Sequence, residues 1–108
     1  MSATIEMVSF KLSDGVNPEI FIKANEELDS WLGQQNGFEY RALAQQEEGT
    51  WVDIVFWQTQ ADAQQAGEAF MGAKESQAML ACIDKSTVSM QHMPVMASLA
   101  NERIKATA

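Results

Sequence analysis

The sequence predicts an α+β domain with the element order βαββαβ, and three observations carry the prediction. Four stretches alternate with the period of a strand: Thr4–Leu12, Phe38–Gln45, Thr50–Trp57 and Ser86–Val95. Two longer stretches, opening at Asn17 and Thr59, repeat apolar or small residues with the period of a helix. Turn residues separate the six, and 108 residues with 46% hydrophobic content supply a core for one such domain.

Strand one, Thr4–Leu12, carries Ile5 and Met7 on one face and Val8, Phe10 and Leu12 on the other, and Ser13-Asp14-Gly15 breaks it. The first helix opens with Asn17 as N-cap, Pro18 at its first position and Glu19 against the dipole. Phe21, Ala24, Leu28, Trp31 and Leu32 make its apolar stripe, whereas Glu26, Glu27 and Asp29 make its solvated side. Gly33 and Gly37 then end it and turn the chain.

Strand two, Phe38–Gln45, returns through Glu47-Glu48-Gly49 into strand three, Thr50–Trp57, where Gly can take the left-handed conformation of a short hairpin loop. That loop sets Gln46 opposite Thr50, Leu43 opposite Asp53 and Arg41 opposite Val55. Strand three has two unlike faces: Val52, Ile54 and Phe56 on one, and Trp51, Asp53, Val55 and Trp57 on the other. Phe38, Tyr40, Ala42 and Ala44 are expected beside the first set, under the helices, and Glu39, Arg41, Leu43 and Gln45 beside the second.

Thr59 with Asp62 three residues on resembles a capping box, followed by the small-residue stripe Ala63, Ala66, Gly67 and Phe70, with Gly72 as a stop. A shorter helix, Ser76–Ile83, precedes strand four, and Pro94 near that strand's end suits an edge. Residues 1–96 are thus one domain and 97–108 a tail, either a short helix or disordered.

This order is the ferredoxin-like split βαβ, with an antiparallel four-stranded sheet. Right-handed crossovers put strands one and three in its centre, where they are expected to run parallel to each other. Both helices fall on one face. The opposite face, taken to be the one with Trp51 and Trp57, is too large an apolar patch for a soluble monomer. Two sheets packed face to face would cover it, giving a homodimeric α+β barrel with the Trp faces inside.

A net charge of −8 argues against nucleic acid or an anionic membrane surface as partner. One cysteine, Cys82, makes no internal disulfide and sits in an apolar stretch, as expected of an inert thiol in a reducing compartment. No signal peptide is visible, nor any run near the ~20 apolar residues of a membrane span, so a cytoplasmic location is expected.

Asn36-Gly37-Phe38, the run from Gly49 to Trp57, Ala63, Ala66 and Leu80-Ala81-Cys82-Ile83-Asp84 resemble the antibiotic-biosynthesis-monooxygenase-like (ABM-like) family of dimeric α+β barrels, over roughly Thr4–Met96. The resemblance implies the barrel fold, no cofactor, and cavity-wall roles for Trp57 and Trp51. It spans cofactor-free monooxygenases of phenolic or anthrone-like substrates, haem-degrading enzymes, isomerases and stress proteins. Haem-degrading members use an Asn on strand one and a Trp and a His on a helix. Strand one here has no Asn, and the only histidine, His92, lies in strand four, so the pattern expected for haem is absent. A strand-one histidine, as in the stress-responsive branch, is absent too.

Candidate site residues each have two accounts. Trp51 and Trp57 suit stacking on a flat aromatic ligand, or packing in a dimer core. Asp53, desolvated by its Trp neighbours and so pushed up in pKa, suits a catalytic base; paired diagonally with Arg41, it is structural, the simpler account because buried charges are usually matched. Arg41 joins the substrate-binding candidates by that placement. His92 titrates nearest neutrality and is the default proton shuttle, although a lone histidine beside Val88 and Met90 also suits a hydrogen-bonded core. One His and one Cys make no ordinary metal site, and no phosphate loop, nucleophile elbow or Cys-x-x-Cys pair is present.

The resemblance then implies an oxygenase in which Asp53 or His92 removes a phenolic proton inside the barrel, Trp57 orients the ring and dioxygen attacks the anion. A barrel that binds a small aromatic or hydrophobic molecule without turnover, or one that is purely structural, uses the same sequence features.

Overall fold

The structure, a computed structural model, describes residues 3–100. Its elements are β1 (Thr4–Leu12), α1 (Pro18–Leu32), β2 (Phe38–Gln45), β3 (Trp51–Trp57), α2 (Gln60–Phe70), a 3-10 turn (Lys74–Ser76), α3 (Gln77–Cys82) and β4 (Ile83–Pro94). Ala97–Ala100 has no regular structure, and the rest of the expected tail, 101–108, lies outside the described residues.

The helix starts follow from their caps. Asn17 Oδ1 accepts from the Glu19 amide at 2.8 Å, and Thr59 Oγ1 accepts from the Asp62 amide at 3.1 Å. Gly37, with φ of +79°, is required twice over: its conformation is left-handed, and a side chain there would collide with Asp62 at the start of α2.

The strands form one antiparallel sheet in the order β2-β3-β1-β4. The central pair corrects the expected direction, since β1 runs antiparallel to β3, with Thr4 opposite Trp57 and Phe10 opposite Trp51. Each crossover joins strands that are next-but-one, so the strand between them is the one that runs the other way. The β2–β3 hairpin has the expected register, Leu43 opposite Asp53 and Arg41 opposite Val55. An irregularity between Phe38 and Tyr40 moves Phe38 opposite Trp57, onto which it packs edge-on at 5.9 Å. Pro94 lies on the edge strand β4, as expected, but β4 starts earlier than expected, at Ile83, with a register shift between Ser9 and Lys11.

The larger correction concerns the faces. Trp51, Asp53, Val55 and Trp57 are buried beneath the chain's own helices, whereas Val52, Ile54 and Phe56 are only half-buried on the opposite side. Tyr40 packs edge-on against Phe56 at 6.0 Å, so it too lies on the open face and not on the helix side. The reason is volume and charge. The helical layer offers small side chains at Ala63 and Ala66, which leave room for indoles, and polar ones at Asn25 and Asp29, which meet the charges on β2 and β3. Phe21, wholly buried, packs edge-on against both Phe10 (5.6 Å) and Trp51 (4.9 Å).

Candidate functional site

On the helix-facing side of the sheet the side chains leave a cavity of about 780 Å³ between sheet and helices, within the range of small-molecule sites. Val8 and Phe10 of β1 and Val55 and Trp57 of β3 form its floor, and Trp31 and Phe70 of the helices its roof. The two roof rings tilt against each other at 6.3 Å. Met71, Val88 and Met90 also line it and are exposed, so it opens between the end of α2 and β4.

Two polar clusters interrupt the apolar floor. The first is centred on Arg41. Its Nε donates to Asp53 Oδ1 at 2.9 Å and its Nη2 to Asp53 Oδ2 at 2.6 Å, a bidentate pair. Nη2 also donates to Asn25 Oδ1 at 2.7 Å, and Nη1 to Asp29 Oδ1 at 2.8 Å. Asn25 in turn donates to the Phe21 carbonyl at 2.7 Å. The Arg41 side chain is 6% exposed and that of Asp53 10%. Burial alone would lower the Arg41 pKa, but the hydrogen bond and charge of Asp53, and then those of Asp29, outweigh it and raise the pKa above its ordinary value. The guanidinium therefore stays charged, and its hydrogen bonds tie β2 and β3 to α1.

The second cluster joins three strands. Glu6 of β1 lies opposite His92 of β4, and their Oε2 and Nε2 are 3.4 Å apart. From the other side the Trp57 indole Nε1 donates to Glu6 Oε1 at 3.3 Å. All three residues line the cavity. Here the contacts are longer than in the first cluster, and the His92 ring is more open, at 22% exposure.

The structure thus brings together three of the five residues singled out in the sequence, Trp57, Asp53 and His92, on the cavity wall. Trp51 and Arg41 do not line it: Trp51 packs on Phe21, and Arg41 reaches the site only through Asp53. The diagonal Arg41–Asp53 pairing expected from the hairpin register is present. Val88, Met90 and His92 all line the cavity, which settles the inward face of β4.

Four residues were missed. Glu6 has the same strand parity as Val8 and Phe10, so a carboxylate on an inward face was a legible signal. Trp31 and Phe70 read only as stripe residues of two helices, and nothing local marks them as walls. Lys85 also reaches the cavity, beside the β4 register shift, where the Lys11 amide bonds Thr87 Oγ1 at 2.8 Å. Among the described residues no group of three His, Cys, Asp or Glu side chains is placed to hold a metal ion, and no helix is long and apolar enough to cross a membrane.

No protein-family model matches the chain, and no curated protein does. Solved structures do. A mutant of SnoaB, a cofactor-independent oxygenase from Streptomyces nogalater, superposes with a TM-score of 0.73 at 15% identity, covering 94% of this chain and 100% of that one. A proposed antibiotic biosynthesis monooxygenase from Bordetella bronchiseptica gives 0.70 at 14% identity, covering 90% and 100%. A dimeric ferredoxin-like protein from an uncultured marine organism gives 0.68 at 12% identity, covering 94% and 95%. At such identities the likeness is one of fold: the chain has the ferredoxin-like ABM fold.

Proposed function

We propose that this chain is a cofactor-independent monooxygenase of a small aromatic, phenolic substrate, working as a cytoplasmic homodimer. The observation that carries the proposal is the apolar, aromatic-walled cavity of about 780 Å³ with a histidine–carboxylate pair on its wall. The fold of a cofactor-independent oxygenase supports it.

In this scheme Trp57 and Trp31 flank the ring, and His92 takes the phenolic proton as general base. The apolar walls desolvate the resulting anion, which is electron-rich enough to react with dioxygen. One oxygen atom ends as a carbonyl on the ring carbon; the other leaves as water with that carbon's one hydrogen and the phenolic proton. The proton falls to His92 and not to Asp53 because Arg41 already occupies both Asp53 oxygens. Asp53 and Arg41 hold the wall in place. The pattern expected for haem has no counterpart here, since β1 holds no Asn and the one histidine sits on β4 and not on a helix.

The dimer forms through the open face of the sheet, where Ile5, Met7, Ile54 and Phe56 are half-buried without a cover of their own. That is the face opposite to the one expected from the sequence. Dimerisation in a protein of like fold supports it. Sedimentation should find a dimer, and Ile54→Glu, which places a charge amid that patch, should give a monomer.

Dioxygen uptake against a panel of hydroquinones and anthrones tests the activity. Uptake that requires both protein and one substrate class, and that is lost in His92→Ala, is the expected result. Quenching of tryptophan fluorescence by the same compounds without uptake would mean a barrel that binds but does not turn over. Neither uptake nor quenching would leave a structural dimer.

A further inference from the structure

We infer that Glu6 is a positioning residue that commits His92 to carrying its proton on Nε2, so that Nδ1 is the acceptor offered to whatever enters the cavity. The inference deepens the proposed function and rests on it for the role of the ligand, but the state of the ring can be measured without a ligand.

The Trp57 indole is a donor only, so its contact with Oε1 requires that oxygen to accept. The second oxygen, Oε2, faces Nε2 of His92 at 3.4 Å. Of a carboxyl and an imidazole, the imidazole is the more basic, so the proton between them rests on nitrogen. Nε2–H then points at the carboxylate. The neutral ring has one proton to place, which leaves the lone pair on Nδ1.

Among the described residues no buried side-chain nitrogen or oxygen lacks a hydrogen-bond partner. Nδ1 has no such partner there, so it is an atom that ligand or solvent reaches. His92 lines the cavity, and Glu6 is held from its other side by an indole that is itself 2% exposed. The pair is therefore oriented by packing, as a base held by a third group is. A ligand that meets Nδ1 must bring a donor. A phenol or enol hydroxyl qualifies, whereas an ether or ketone oxygen does not.

Because His92 is the only histidine, its imidazole gives a single set of nitrogen signals in the whole 15N-labelled protein. At a pH where the ring is neutral, we expect Nε2 to show the shift of a protonated nitrogen and Nδ1 that of a bare one. Glu6→Gln should replace this pattern by an averaged one, since an amide presents an oxygen or an NH2 group to Nε2 equally well. Adding 2-naphthol should move the Nδ1 signal upfield, and its methyl ether should not.

A wild-type ring protonated on Nδ1 would overturn the inference, and so would an unchanged pattern in folded Glu6→Gln. Should that variant fail to fold, the wild-type pattern decides alone. Failure of 2-naphthol to bind, with the tautomer as expected, would count against the proposed function and leave the role of Glu6 standing. Binding that shifts the ring carbons but not Nδ1 would remove Nδ1 as the acceptor.

Discussion

Two polar clusters sit on the same helix-facing side of one sheet, and they are built differently. Around Arg41 every donor that is used has a partner at 2.6–2.9 Å, three elements are joined, and the guanidinium is almost wholly buried. Around Glu6 the contacts are 3.3 and 3.4 Å, and the histidine keeps a nitrogen with no partner among the described residues. A closed cluster of that kind is costly to break and offers little to a ligand. An open one contributes less to stability and has capacity left for chemistry. The buried charge in a site therefore need not be its reactive group, and Asp53 against His92 is such a case.

The sharpest way to break the contrast is to remove the centre of the closed cluster. Arg41→Met leaves the Asp53 carboxylate buried and unpaired, and should cost about 3–5 kcal/mol of unfolding free energy in urea. Replacing the pair together, Arg41→Met with Asp53→Leu, should recover most of that loss, because removing both charges also removes the cost of desolvating them. If the single change cost under about 1 kcal/mol, the Asp53 carboxylate would be in reach of solvent and the cluster not closed.

A smaller effect is expected of Asp53→Asn, which keeps one acceptor but turns an NH2 group toward the Arg41 donors. About 1–3 kcal/mol should be lost, with turnover surviving in proportion to the folded fraction. Full folding with turnover abolished would instead return the role of base to Asp53. The smallest effect on stability should come from His92→Ala, under about 1 kcal/mol, since the ring is partly open. The same change should lower turnover by about 10²- to 10⁴-fold, the share usually carried by a general base. Stability and activity should thus rank the two clusters in opposite orders.

Much of this was legible in the chain. The caps Asn17 and Thr59 marked both helix starts, because a side-chain acceptor two or three residues ahead of an amide is a local feature. The loop ending at Gly49, with φ of +110°, set the hairpin register, and the register alone predicted that Arg41 would meet Asp53. Glu6 was legible too, by parity with Val8 and Phe10, but a parity argument gains force only once the inward face is known.

Which face turns inward was decided by the tertiary structure. Alternation along β3 separates Val52, Ile54 and Phe56 from Trp51, Asp53, Val55 and Trp57 and says nothing about which set meets the helices. A purely apolar face appears the natural choice for the core. The helices chose otherwise, because Ala63 and Ala66 leave room for large rings, and Asn25 and Asp29 supply partners for a buried charge. Sequence by itself determined the elements, the hairpin register and the ion pair, all of which depend on residues near one another along the chain or across one turn. The choice of face, the cavity beneath the helices and the meeting of Glu6 with His92, 86 positions apart, came from packing between distant elements. Periodicity fixes relations within an element; volume and charge matching between elements exist only once the layers have met.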